Sequence, residues 1–247
     1  MKDSKIFELI DKRFYLGIAH RGLHNEKYTE NGMKAFKEAI DNDFAFEFDI
    51  HLTKDNELIV CHDEDLKRTT GKEGIIEDLT LKEIKDNYRL LDGGEVPTFE
   101  EVLKLNNERV PMVIELKVFR KNYKELAKRV IPTLRTIKDK SKAMIISFDP
   151  RSLWPLKKEG FIRSLLIAKS DEYTYFFRNS VESIDVEDVL TLERRVQRYS
   201  KNHFVNVWTI QNEEQLEKVL PYVDTITFQH MDIKKVRKIM ARHNALE

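Results

Sequence analysis

Cysteine is almost missing from this sequence, since Cys61 is the only one among 247 residues. A single cysteine cannot form an intramolecular disulfide, so nothing marks the chain as a secreted, disulfide-rich protein. The sequence also lacks any run of about 18 apolar residues and a signal-peptide apolar region near its start. We therefore expect a soluble, cytoplasmic protein without a stable membrane anchor.

An excess of charge of either sign is missing as well. The 43 basic and 43 acidic side chains give a formal net charge of zero. Proteins that bind nucleic acid usually carry a basic excess on one face, so we expect no nucleic-acid partner. No internal repeat, low-complexity tract or disordered linker stands out, and we expect one domain over residues 1–247. The sequence does not indicate an oligomeric state.

Apolar, β-rich runs alternate with amphipathic stretches through nearly the whole chain. This alternation predicts an α/β protein in which parallel strands are joined by crossover helices. About eight strands suit a closed TIM (β/α)8 barrel better than an open sheet. The predicted strands are residues 15–19, 44–50, 57–61, 112–116, 143–147, 163–168, 205–209 and 225–228. The predicted helices are residues 32–42, 98–106, 123–138, 150–159, 186–201, 213–220 and 233–242.

One segment interrupts this rhythm after the third predicted strand. The chain between His62 and Pro97 is too long for an ordinary barrel connection and contains Gly71, Gly74, Gly93 and Gly94. We expect a small insertion at about residues 64–96 that covers the mouth of the barrel.

Polar side chains follow four successive predicted strands. His20 and Arg21 follow the first strand, Glu47 and Asp49 end the second, His62 follows the third, and Glu115 and Lys117 end the fourth. Barrel enzymes collect their catalytic groups at the carboxyl ends of the strands. These side chains are therefore expected to meet at the barrel mouth.

The three carboxylates form a set of oxygen ligands. Residues two apart on a strand share a face, so Glu47 and Asp49 stand side by side. Together with Glu115 they suit one hard divalent cation, Mg²⁺ or Ca²⁺. Without a cation they would repel one another, and burying an unpaired charge is costly. The alternative is that Arg21 or Lys117 neutralises them in a network of ion pairs.

Histidines lie on both sides of this set. A histidine titrates near neutral pH, so His20 and His62 could remove a proton from a nucleophile and supply one to a leaving group. Such a pair suits cleavage of a phosphodiester. The Arg21 guanidinium matches phosphate oxygens, and Lys117 suits either transition-state stabilisation or a place beside the metal. The remaining histidines are expected to be structural.

Nine short motifs, in order along the chain, resemble those of the glycerophosphodiester phosphodiesterases. The resemblance extends from about residue 16 to 228. The motifs are AHRG at 19–22, EN at 30–31, EFD at 47–49, HD at 62–63, RTT at 68–70, PTFEEVL at 97–103, IELK at 114–117, SF at 147–148 and WT at 208–209.

The resemblance implies a TIM barrel with a small insertion after the third strand. It implies hydrolysis of glycerophosphodiesters to sn-glycerol 3-phosphate and an alcohol, with a bound divalent cation. By position, His20 and His62 correspond to the catalytic acid and base. The implied metal ligands are Glu47, Asp49 and Glu115, and the implied phosphate contacts are Arg21 and Lys117.

Four further residues follow from the same resemblance. Glu30 and Asn31 would brace the site, although they could instead cap the next helix. Phe148 and Trp208 would line the pocket for the glycerol or the alcohol, and packing in the core is the alternative for Phe148.

The sequence departs from the pattern of the family in two places. Gly32 stands where threonine usually follows the EN motif. Residues 224–231, DTITFQHM, replace a pattern like DGIITDRP, so Phe228 and Gln229 stand where threonine and aspartate are usual. We expect this exchange to alter substrate choice at the barrel mouth.

Two other functions remain open from the sequence. A barrel phosphodiesterase that acts on lysophospholipids or inositol lipids would need an apolar mouth, and the aromatic residues of segment 171–180 are the candidates for it. A catalytically silent barrel that binds a phosphorylated ligand is the other alternative.

Overall fold

The structure is a computed structural model that describes residues 9–245. Within this range the sheet has nine strands. They are β1 (Ile18–Ala19), β2 (Ala45–Leu52), β3 (Leu58–Val60), β4 (Met112–Leu116), β5 (Ala143–Ser147), β6 (Ile162–Ile167), β7 (Ser183–Glu187), β8 (Val205–Ile210) and β9 (Thr225–Phe228).

Eight of the nine described strands form a closed parallel barrel. Strand β1 pairs in parallel with both β2 and β9, which closes the sheet. Strand β2 pairs with β4, and β4 to β9 follow in chain order. The predicted TIM (β/α)8 architecture is therefore confirmed.

Strand β3 is not one of the barrel strands, so the prediction that residues 57–61 form the third barrel strand is wrong. It pairs antiparallel with the end of β2, with Ile50 opposite Val60. A tight turn joins them, in which the Asn56 N–H donates to the Thr53 carbonyl at 2.9 Å and Asn56 has a φ of 63°. This connection is too short for a parallel crossover, which needs about a dozen residues.

Strand β7 supplies the eighth barrel strand and was missed by the sequence analysis. Residues 186–201 were predicted to be a helix, but only part of this segment is α-helical and its beginning belongs to β7. The strand is buried although its inward-facing Ser183 and Asp185 are polar. Polar residues inside a barrel resemble surface residues when only the sequence is known, so this strand was not predicted.

The helices surround the barrel. The described α-helices are α1 (Met33–Asp41), α2 (Lys67–Thr70), α3 (Leu81–Asn87), α4 (Phe99–Asn106), α5 (Tyr123–Leu134), α6 (Pro150–Leu153), α7 (Arg194–Tyr199), α8 (Glu213–Val219) and α9 (Ile233–His243). The helix predicted over residues 150–159 is α6 followed by a 3-10 helix, Trp154–Lys158. Pro155 lacks an N–H donor and interrupts the α-helical hydrogen bonds.

No helix within residues 9–245 is both long and apolar enough to cross a membrane.

The alternation along β2 sets the direction of the site residues. Phe46 and Phe48 face the helix layer, where the ring of Phe36 from α1 packs against both. Residues 45, 47 and 49 therefore face the inside of the barrel. The interior below them is filled by apolar side chains, including Ile18, Val113, Met144, Ile146 and Leu166.

The segment between β3 and α4 has a small core of its own. It contains α2, the 3-10 helix Ile76–Asp78 and α3. Leu66, Ile76, Ile84 and Tyr88 are buried there against Ile59 of β3. The boundaries 64–96 for an insertion, and the extent 1–247 for one domain, stay predictions, since residues 1–8 and 246–247 lie outside the described range.

Candidate active site

The strand register brings the three predicted carboxylates together. Asp49 of β2 lies directly opposite Glu115 of β4, and Glu47 lies two residues earlier on the same face of β2. One oxygen from each carboxylate lies within 4.8 Å of the others. All three side chains are buried. The barrel therefore encloses three acidic groups at the carboxyl ends of two neighbouring strands.

Cationic and amide groups hold these carboxylates. Lys117 Nζ lies 3.0 Å from Glu115 Oε1 and 3.6 Å from Asp49 Oδ1. The Arg21 N–H donates to Glu47 Oε2 at 2.9 Å. The Asn31 side-chain amide donates to Asp49 Oδ2 at 2.8 Å. The ion pairs weighed as the alternative from the sequence are thus present, and binding of a cation by the three carboxylates stays a prediction.

The basic partners do not neutralise the cluster fully. Burial raises the pKa of Glu47 well above its usual range, and the charges of Asp49 and Glu115 raise it further. Burial likewise raises the pKa of Glu115 to about 7, although Lys117 opposes this. Burial also opposes ionisation of Asp49, but Lys117 and Arg21 outweigh it and lower the pKa. Asp49 Oδ1 accepts no hydrogen bond within the described residues. A divalent cation fits this set.

The stabilising effect of a cation should therefore depend on pH. The pKa of Glu115 is raised from 4.5 to about 7 in the folded, metal-free protein. Its contribution to the free energy of unfolding is therefore complete below pH 4.5 and is lost as the pH rises through about 7. Glu47 acts in the same direction. Asp49 does not change the pH dependence of stability in this pH range, because its lowered pKa keeps the carboxylate ionised. We expect the increase in Tm on adding Mg²⁺ or Ca²⁺ to grow from pH 5 to pH 8, as measured by differential scanning calorimetry. An increase that is independent of pH would contradict this assignment.

The two predicted histidines lie beside the carboxylates. Both line a small cavity of about 100 Å³ together with Arg21, Glu47 and Glu115. Although His62 follows the antiparallel strand β3 rather than a barrel strand, it still reaches the site, because β3 runs back along β2.

Each histidine has a different partner at Nδ1. His20 Nδ1 lies 2.7 Å from Gln229 Oε1, and His62 Nδ1 lies 2.6 Å from Asp63 Oδ1. Because an amide or carboxylate oxygen only accepts, each Nδ1 carries a proton and donates it. Burial lowers the pKa of His20 to about 3 and lowers the pKa of His62.

A chain of ion pairs connects His62 with Arg21. Arg68 Nε donates to Asp63 Oδ2 at 2.6 Å, and its other nitrogens donate to Glu30 at 2.8 and 2.9 Å. Glu30 Oε1 also accepts from Arg21 Nη1 at 2.7 Å. Arg68 and Asp63 belong to the RTT and HD motifs, but no role was predicted for either from the sequence. These residues tie the segment after β3 to the site.

Comparison with known proteins shows which family this arrangement belongs to. Residues 20–233 match the model of the glycerophosphoryl diester phosphodiesterase family. The chain belongs to that family. A curated glycerophosphodiester phosphodiesterase from Caldanaerobacter subterraneus subsp. tengcongensis is 36% identical over 151 residues, which cover 58% of this chain and 62% of that protein. One from Bacillus altitudinis is 34% identical over 145 residues, which cover 55% and 59%.

A solved structure shows the same relationship over more of the chain. The glycerophosphodiester phosphodiesterase from Thermotoga maritima is 26% identical, with a TM-score of 0.72, and the match covers 92% of this chain and 97% of that one. The aligned part of this phosphodiesterase-family chain spans about three fifths of the length of the two curated relatives.

The EN motif of the family does not cap α1 in this chain. Gly32 is the N-cap and supplies no side-chain hydrogen bond, so the helix-cap alternative for Glu30 and Asn31 is wrong. Asn31 instead has a φ of 54° and holds Asp49. The departure from threonine at position 32 has a steric reason, because a Cβ there would lie 2.8 Å from the Thr29 carbonyl oxygen.

The second departure from the family pattern, at Phe228 and Gln229, has a different consequence at each position. Phe228 is buried and packs edge to face on Phe44, with ring centroids 5.6 Å apart, so its side chain is not at the mouth. Thr227 lines the small cavity instead. Gln229 does face the site, where it holds His20. The predicted effect on substrate choice at the barrel mouth therefore depends on Gln229 and not on Phe228.

Phe148 and Trp208 also line the small cavity of this family member. Their ring centroids are 5.6 Å apart in an edge-to-face arrangement. Trp208 Nε1 donates to the Asp185 carbonyl at 3.1 Å, which fixes the indole. Phe148 is 37% exposed, so the core-packing alternative for it is wrong.

Proposed function

We propose that the protein hydrolyses glycerophosphodiesters to sn-glycerol 3-phosphate and an alcohol, with one bound divalent cation, Mg²⁺ or Ca²⁺. The observation that supports this most strongly is the placement of two histidines and three buried carboxylates around one small cavity at the mouth of the barrel. Family membership and the names of the curated relatives point to the same reaction.

Glu47, Asp49 and Glu115 would hold the cation. When bound, it supplies a Lewis acid that polarises a phosphoryl oxygen and offsets the developing negative charge. Asn31 orients Asp49 through its amide, and the backbone N–H of Arg21 orients Glu47.

His20 is proposed as the base and His62 as the acid. His20 donates from Nδ1 to a neutral amide, and burial favours its neutral form, so Nε2 keeps a lone pair that accepts a proton from the nucleophile. The nucleophile is either water, which gives the product directly, or a glycerol hydroxyl, which gives a cyclic phosphate that water then opens to sn-glycerol 3-phosphate. Burial lowers the pKa of His62, but its hydrogen bond to the Asp63 carboxylate opposes this and favours the imidazolium. It would protonate the departing alkoxide, and Arg68 would hold Asp63 in position for this role.

The two basic side chains are proposed to have different roles. Arg21 lines the small cavity while its Nη1 stays on Glu30, so its guanidinium is placed to contact the phosphate. Lys117 lines an adjoining groove and pairs with Glu115. It acts chiefly as a partner of the metal ligands.

The glycerol part of the substrate is proposed to occupy the small cavity. Its volume of about 100 Å³ suits a three-carbon unit, and Phe148 and Trp208 form one wall. The expectations of a cytoplasmic location and of no nucleic-acid partner stay predictions.

The test is identification of the products that the purified protein releases. We expect sn-glycerol 3-phosphate, without inorganic phosphate, from glycerophosphoglycerol and glycerophosphoethanolamine in the presence of Mg²⁺ or Ca²⁺. Enzyme-coupled detection of glycerol 3-phosphate measures it. Faster turnover of lysophosphatidylcholine would favour the lipid-directed alternative. Binding of glycerophosphodiesters without any product would favour the silent barrel.

A further inference from the structure

The backbone of His62 is held by a second histidine, His51, which does not line the small cavity. His62 follows the end of β3 and lies on irregular backbone, so its carbonyl has no partner within the sheet. His51 Nε2 lies 3.2 Å from this carbonyl oxygen. Within residues 9–245 no other group donates a hydrogen bond to it. The contact with His51 therefore fixes the main chain from which the His62 ring projects.

His51 lies near the end of β2 at the barrel mouth. It follows Asp49 by two residues on the same face of the strand and lies opposite Ile59 of β3. The pairing of β2 with β4 ends at Ile50, so His51 lies just beyond the barrel. Only 2% of His51 is exposed. A polar ring that is buried to this degree needs hydrogen-bond partners.

The other nitrogen of the His51 ring contacts Glu77. Nδ1 lies 2.8 Å from Glu77 Oε1, and Glu77 belongs to the 3-10 helix Ile76–Asp78 of the segment between β3 and α4. A carboxylate and a backbone carbonyl only accept hydrogen bonds, so the His51 ring donates in both contacts. The Glu77 side chain is itself only 11% exposed. Through His51, Glu77 therefore connects this segment to the backbone of His62.

Stability alone does not account for this buried pair. Replacing a buried ion pair with apolar residues of similar volume is often neutral or stabilising. What His51 and Glu77 provide is a hydrogen bond to one chosen atom, the His62 carbonyl oxygen. The His62 ring is held separately, through Asp63 and Arg68. Backbone and ring are thus both fixed, which matters because a displacement of about 1 Å can lower a rate about 10²-fold.

We propose that His51 is a positioning residue for His62, and that Glu77 holds His51 in place. The inference rests on the proposed function, because it assigns His51 an effect on the protonation of the departing alkoxide. His51 does not touch the substrate and acts only through the backbone of His62. The segment between β3 and α4 then completes the active site, since it supplies Glu77.

The test compares two polar replacements of His51. A glutamine amide can place an N–H near the position of Nε2 and keep the bond to the His62 carbonyl, whereas an asparagine amide reaches only the position of Nδ1. We expect His51→Asn to lower kcat for glycerophosphoethanolamine about 10- to 100-fold with little change in KM. We expect His51→Gln to retain kcat within about 3-fold of the natural protein, because the hydrogen bond is kept.

A second substrate shows whether the loss acts through the acid. The nitrophenyl diester of glycerol 3-phosphate has a leaving group that needs no proton, so His51→Asn should hydrolyse it at close to the natural rate. His243→Ala is the matched control. His243 Nε2 also donates to a backbone carbonyl, that of Val223, but this contact precedes β9 at the opposite end of the barrel.

The comparison of leaving groups separates positioning from a general loss of structure. An equal fall in kcat on both substrates in His51→Asn, or no fall on either, would overturn the inference and leave the proposed function intact. His62→Ala, measured alongside, tests the proposed function separately. If its kcat fell equally on both substrates, the assignment of His62 as the acid would be overturned. Release of no product by the natural protein would overturn the proposed function itself.

Discussion

Replacing His20 or His62 with alanine is expected to lower kcat by about 10²- to 10⁴-fold, because each removes one of the two proton transfers. KM should change much less, since the phosphate contacts of Arg21 and of the metal site remain. The measurement is steady-state release of sn-glycerol 3-phosphate at saturating substrate. Circular dichroism should show an unchanged fold, because both histidines lie at the edge of the barrel core.

The two histidine variants should also differ from each other. A substrate with an acidic leaving group, such as a nitrophenyl phosphodiester, needs no proton from the enzyme, so it should restore much of the activity of His62→Ala but not of His20→Ala. His203→Ala is the control, since His203 lies outside the small cavity and the adjoining groove. Equal rescue of both variants would contradict the assignment of acid and base, and normal turnover by both would contradict the proposed mechanism.

Glu47→Gln is expected to abolish metal-dependent turnover while leaving the fold intact. The substitution removes a ligand charge, and we expect kcat to fall at least about 10²-fold, as when one electrostatic contact to the transition state is lost. The amide oxygen can still accept the hydrogen bond from the Arg21 N–H. Since the raised pKa of Glu47 reports unfavourable burial of its charge, the metal-free variant should be at least as stable at pH 7 as the metal-free natural protein.

Isothermal titration calorimetry and thermal unfolding separate these effects. The variant should lose the heat of Mg²⁺ or Ca²⁺ binding and the rise in Tm that the cation produces. Glu217→Gln, on the exposed face of α8, is the control for removal of one negative charge. Retained metal binding by Glu47→Gln would show that this carboxylate is not a ligand.

The barrel was predictable from the sequence because most of its strands are continuous apolar runs. Strand β4, MVIEL, and strand β5, AMIIS, are of this kind, as expected for parallel strands covered on both faces. Strand β7, SIDVE, was missed because Asp185 and Ser183 face the interior, where Ser164 Oγ donates to Asp185 at 2.6 Å. Strand β3 was misassigned because its apolar run does not reveal that it pairs antiparallel.

The acidic cluster was predictable for a different reason. The spacing of Glu47 and Asp49 places both on one face of a strand. The position of Glu115 at the end of the fourth predicted strand added the third carboxylate, and the register places it opposite Asp49. The contacts made by Arg68, Asp63 and Gln229 were not predictable, because they join segments that are far apart in the chain. The φ of 54° that directs Asn31 toward Asp49 is likewise visible only in the structure.

The most direct test of the account is the dependence of sn-glycerol 3-phosphate release on a divalent cation. The purified protein would be treated with EDTA, dialysed and assayed with glycerophosphoethanolamine before and after Mg²⁺ or Ca²⁺ is added back. We expect EDTA to abolish release and the cation to restore it in the natural protein but not in Glu47→Gln. Full release in EDTA, or restored release in Glu47→Gln, would contradict the claim that the three carboxylates hold a cation required for hydrolysis.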